Sequence, residues 1–115
     1  MPYLHISTTK RLTGEERLAL KSCALNAAAL LGKRRPQVMV LIEDGLDLSR
    51  GDDEGNCAFC DVRVMGVASP EACNQFSQTL SADIARIAQT APMSVYLNLS
   101  ELTLCYTDGC LPPGH

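Results

Sequence analysis

The sequence predicts an α/β fold of two βαβ repeats, in which a four-stranded mixed sheet carries two helices on one face. Three observations predict it. Strand-like, helix-like and strand-like segments follow one another in each half of the 115-residue chain. A shift of 57 residues lays Val38 on Val95, Leu4 on Asp61 and Leu30 on Ile87, and brings Pro36 within one residue of Pro92. Between the halves, residues 43–56 are rich in Gly, Asp and Ser and read as a polar loop with at most a short helical turn. The expected organisation is one domain over residues 1–115, with pseudo-repeats of about 1–57 and 58–115. Crossovers between parallel strands are right-handed, which puts both helices on the same side.

The elements follow in order. Residues 3–8 read as a strand, and Thr13-Gly14-Glu15-Glu16 then opens a helix, because Thr13 can cap the first turn while Glu16 returns the bond. Leu20, Ala24, Ala27, Ala28 and Leu31 recur at helical spacing, and Gly32 supplies a left-handed stop. Pro36 leads into a strand over 38–42. In the second half, residues 61–67 alternate as a strand. Ser69-Pro70-Glu71 places a cap before a proline at the first helical position, and Phe76, Leu80 and Ile84 line one helix face. Residues 95–99 close the sheet.

Strand alternation then assigns faces. Four strands span roughly 19 Å, which two helices about 10 Å wide cover on one side only. Val62, Val64, Val95, Leu97 and Leu99 belong to the helix side, leaving Tyr3, His5, Met39, Leu41, Arg63, Met65, Tyr96 and Asn98 on the bare face. That mixture is too apolar for open water and too polar for a dry core. A partly wet interface between copies of the chain fits it, so a homo-oligomer is expected.

Composition narrows the function. The chain is 46% hydrophobic, holds no Trp and has a formal net charge of −3. Lys33-Arg34-Arg35 is its densest basic run, which is not the stripe a nucleic-acid binder needs. No apolar run is long enough for a membrane span, and the N-terminus lacks a signal-peptide layout, so a soluble, cytoplasmic protein is expected. Six cysteines without a signal peptide imply reduced thiols. Cys23 and Cys73 fall within helical patterns, where Cys behaves as a small buried hydrophobe.

The candidate chemical centre is Pro2. Removal of Met1 would expose a secondary amine at the start of a strand. A terminal amine titrates at about 7.7 to 8.0, and an apolar pocket or nearby cation lowers that value toward the operating pH, where a general base works best.

Met1-Pro2 at the head of a strand, Gly32-Lys33 at the first helix end, Cys57-Ala58-Phe59-Cys60 and Val95-Tyr96-Leu97-Asn98 together resemble macrophage migration inhibitory factor and its relatives in the tautomerase superfamily. The likeness runs from Met1 to about Glu101. It implies a homotrimer with active sites between subunits, interconverting keto and enol forms of arylpyruvates such as phenylpyruvate without a cofactor. It makes Pro2 the acid/base and Lys33 the holder of the substrate carboxylate. Met65 would line the pocket, and Tyr96 with Asn98 would come from the adjacent subunit. Two other readings accompany it: a cytokine-like binding protein on the same scaffold, with a protein receptor and an exit from the cell that needs no signal peptide, and a thiol oxidoreductase using Cys57 and Cys60. Against the latter, the pair precedes the expected strand and lacks a helix dipole to activate it. A zinc site from Cys57, Cys60, Cys105 and Cys110 suffers from a wide second spacing, so no metal is expected. After Glu101 the chain lacks the Asn-x-Gly-Trp segment of the vertebrate factor, and Tyr106 is the candidate replacement for its ring.

Overall fold

In the computed structural model, which describes residues 2–66 and 68–110, the elements run β1 (Pro2–Thr8), α1 (Gly14–Leu30), β2 (Met39–Glu43), β3 (Ala58–Met65), α2 (Pro70–Ile87) and β4 (Val95–Leu102). The sheet order is β2-β1-β3-β4. Each repeat contributes a parallel pair, β1 with β2 and β3 with β4, and the repeats join through antiparallel β1 and β3. The 3-10 turns at Arg35–Gln37 and Pro92–Ser94, each with a proline in its first turn, lie 57 residues apart, the same offset as the repeat.

Helix starts are set locally. The Thr13 side chain accepts from the Glu16 amide at 3.1 Å, and the Glu16 carboxylate accepts from the Thr13 amide at 2.9 Å. Ser69 caps α2 by accepting from Ala72 N–H at 3.2 Å. At the other end of α1, Gly32 adopts φ +73. Its N–H donates to the Ala29 carbonyl at 2.9 Å, and Lys33 N–H donates to that of Ala28 at 3.2 Å. These are the paired bonds of a Schellman stop, and they send the chain toward the sheet.

The core lies between helices and sheet. Leu4, Ile6, Cys60, Val62 and Val64 face Leu20, Ala24, Phe76, Leu80 and Ile84, all buried, while Val95, Leu97 and Leu99 pack partly buried at the edge. The bare face is as alternation predicts for most residues: Met39, Leu41 and Tyr96 are exposed, and Phe59 joins them. Met65 departs from that expectation, being only 9% exposed at the end of its strand.

Strand ends differ more than strand centres. β3 starts at Ala58, not at residue 61, because Thr8, Ser7 and Ile6 extend the antiparallel ladder to Ala58, Phe59 and Cys60. It stops at Met65, before Gly66 at φ +76, while Val67, the expected strand end, lies outside the described residues. The Cys57/Cys60 pair therefore straddles the strand start instead of preceding it. β2 sits one residue later than expected, and β4 continues to Leu102. The loop over 43–56 forms a turn closed by an Arg50 to Asp53 bridge, with no helix.

Candidate active site at the Pro2 end of the sheet

Pro2 opens an interior strand, where a residue without an N–H is tolerated only at the first position. It pairs with Val64 and is fully buried. One residue further along β3, the Met65 carbonyl accepts a hydrogen bond from Lys33 Nζ at 2.7 Å, and the Gly66 carbonyl accepts another at 2.9 Å. The Schellman stop explains this reach, since Lys33 leaves α1 pointed at the end of β3. Lys33 is thus tied to strand carbonyls and is not a freely solvated charge at a helix end. An ammonium carries three donors, so two bonds leave one for an anion.

Pro2, Lys33 and Met65 are brought together in one chain. A cavity of about 340 Å³ opens at Met65, lined also by Gly66, Glu101, Leu102 and Thr103. Glu101 escaped the sequence reading as a site residue. It continues the row Pro2, Val64, Glu101 across three strands, and a signal existed: it alone breaks the inward series Val95, Leu97, Leu99 with a charge.

Tyr96 and Asn98 lie elsewhere. Tyr96 pairs with Phe59, which pairs with Ser7, five residues along β1 from Pro2. At about 3.3 Å per residue that is roughly 17 Å, and Tyr96 is on the bare face while Pro2 points to the core side. Asn98 donates from Nδ2 to Asp61 Oδ1 at 2.9 Å and to Ser100 Oγ at 2.7 Å. Neither side chain reaches Pro2 of its own chain.

The thiols occupy a third environment. Burial, and secondarily the Asp61 charge, pushes the Cys60 thiol up to about 12. Cys57 is buried and donates to the Leu48 carbonyl at 3.4 Å. Burial therefore makes Cys60 itself a poor source of the thiolate that exchange requires. Cys23 is also raised, by burial first and then by Asp83. Among the described residues, no three His, Cys, Asp or Glu side chains are grouped to hold a metal ion, and no helix is long and apolar enough to cross a membrane. Tyr106 is 58% exposed, next to a tight turn closed by mutual Thr107 and Cys110 backbone bonds with Asp108 and Gly109 at positive φ.

Comparison with known proteins agrees with this fold. No curated protein sequence matches the chain. Among solved structures, it is similar to Leishmania major MIF2, with a TM-score of 0.86 at 19% identity over 96% of this chain and 97% of that one. It is similar to macrophage migration inhibitory factor of Toxoplasma gondii, with a TM-score of 0.79 at 22% identity over 92% and 96%. It is also similar to Pt0534 inactivated by 2-oxo-3-pentynoate, with a TM-score of 0.80 at 19% identity over 95% of each chain. The model of the macrophage migration inhibitory factor (MIF) family matches residues 1–105, nearly all of the described chain, and the protein belongs to that family.

Proposed function

We propose that the protein is a cofactor-free keto-enol tautomerase of arylpyruvates such as phenylpyruvate, working as a homotrimer with its sites between subunits. The observation that carries this reading is the double hydrogen bond from Lys33 to the end of the strand that pairs with Pro2. It holds a cation beside the position where loss of Met1 would free an imino nitrogen. That cation disfavours the protonated amine and lowers its pKa, keeping it a base near neutrality.

In the reaction, Lys33 takes the substrate carboxylate with its remaining donor. The Pro2 nitrogen removes a proton from the carbon next to the carbonyl, and the C–H electron pair becomes the new carbon-carbon double bond as the carbonyl π pair moves to oxygen. The protonated Pro2 nitrogen returns its proton to that oxygen, which completes the enol and regenerates the base. Reversal returns the ketone, so atoms and charge balance without a co-reactant. Met65 lines the pocket. Tyr96 and Asn98 of the adjacent copy complete it, which suits their distance from Pro2 within one chain. That a structural neighbour is inactivated by a 2-oxo acid supports an oxo-acid substrate.

The test is phenylpyruvate enolisation by protein whose mass verifies the loss of Met1. Pro2→Gly is expected to lower turnover by about 100-fold or more, the usual share of a general acid/base. Unchanged turnover overturns the assignment.

A further inference from the structure

A second cavity, of about 330 Å³, opens at the far end of the bare face from Pro2, and its lining includes Leu48, Arg50, Cys57, Phe59, Ser94 and Tyr96. Phe59 and Tyr96 are direct partners on β3 and β4, so two rings stand side by side at its wall. Both are largely exposed in the single chain, at 40% and 52%. Arg50 supplies the charge. One of its terminal nitrogens lies 3.5 Å from an Asp53 oxygen, a loose contact with a half-exposed carboxylate. Its Nε is buried and has no acceptor among the described residues. A guanidinium N–H removed from water without an acceptor is costly, and an anionic ligand oxygen would relieve that cost.

We propose that this cavity is the distal end of the substrate site. The natural substrate is then an aromatic 2-oxo acid with a second carboxylate, its oxo-acid head at Lys33 of one copy and its far carboxylate at Arg50 of the next. The inference rests on the reading that Tyr96 of one copy serves Pro2 of its neighbour. A ligand touching Tyr96 in that arrangement also lies along Phe59 and reaches Arg50. Apolar walls accept the ring, and cations at the two ends match a dianion, with Arg suited to grip a carboxylate through two parallel N–H bonds. Phenylpyruvate is then a partial substrate that leaves Arg50 unused.

Binding of benzoylformate and 4-carboxybenzoylformate tests this apart from turnover, since neither has a hydrogen on the carbon next to the ketone and neither can enolise. Calorimetry on the full oligomer lacking Met1 is expected to show the para-carboxylate tightening binding by about tenfold or more. In Arg50→Gln the gain should shrink to less than about twofold, while Lys33→Met weakens both ligands alike. Asp53→Asn, which removes the competing negative charge, should increase the gain. The proposal is overturned if the native protein does not discriminate, if discrimination survives in Arg50→Gln or fails to grow in Asp53→Asn, or if Lys33→Met leaves both affinities unchanged. Discrimination in a protein inert toward phenylpyruvate would instead overturn the enolisation and uphold the cavity. Turnover without discrimination would do the reverse.

Discussion

The Lys33 ammonium lies 2.7 Å from the carbonyl oxygen of Met65, on the strand that pairs with Pro2. Because that bond and its companion to Gly66 use backbone acceptors, side-chain changes in the pocket should leave the cation in place. Lys33→Met should lower kcat/KM for phenylpyruvate by about tenfold or more, through the lost charge-assisted contact to the carboxylate. It should also move the acid limb of the pH profile upward, because removing a cation makes the protonated amine easier to form. A limb that stays in place while KM rises would confine Lys33 to binding.

Separation of Tyr96 and Asn98 from Pro2 predicts complementation between defective chains. If the protein works as the proposed trimer, Pro2→Gly and Asn98→Ala chains should each be nearly inactive alone. Randomly mixed trimers should recover about one quarter of native sites, each built from an intact Pro2 and an intact Asn98 on different chains. Coexpression followed by the phenylpyruvate assay reads this directly, and no recovery would remove Asn98 from the neighbour's Pro2 site.

Cys60 predicts how stability responds to alkali. Its thiol is pushed from 9.0 up to about 12 by burial, so the folded state keeps a proton that the unfolded state gives up. The resulting stabilisation is fully present below pH 9 and is lost as pH rises toward 12, at up to about 1.4 kcal/mol per pH unit. Cys60→Ala should flatten that slope in urea titrations run across this range, although it lowers stability overall. At pH 8, alkylation should mark exposed Cys110 and spare Cys60, as mass spectrometry of the labelled peptides will show.

Gly32→Ala isolates the helix stop. A Cβ there meets nothing within 4 Å, so the cost is the left-handed φ of +73 alone, about 1 kcal/mol in urea denaturation. A much larger loss would mean that the turn rearranges, and KM should then rise because Lys33 is re-aimed.

Local chemistry was legible in the sequence, and pairing was not. The Thr13 and Ser69 caps and the Gly32 stop depend on neighbours a few residues away, so residue identity announces them. Alternation likewise placed Tyr96 and Asn98 on the bare face. The start of β3 at Ala58 depends on Thr8, fifty residues upstream, and no local pattern reports it. Consequently Cys60 reads as preceding the strand and is found within it, facing the core. Pro2 stands out by its terminal-amine chemistry and Lys33 by family resemblance, but their approach through the Met65 carbonyl is tertiary. Arg50 sits in a polar loop whose turn at Gly51 has φ +59, and its inward nitrogen leaves no trace in composition.

Pro2 begins a strand flanked on both sides, by β2 and β3, and its side is sealed from water. Anything fused ahead of it must leave from the buried first residue of an interior strand. An affinity tag on that end would acylate the nitrogen proposed as the base, and on that proposal a preparation carrying one would pass for an inert homologue.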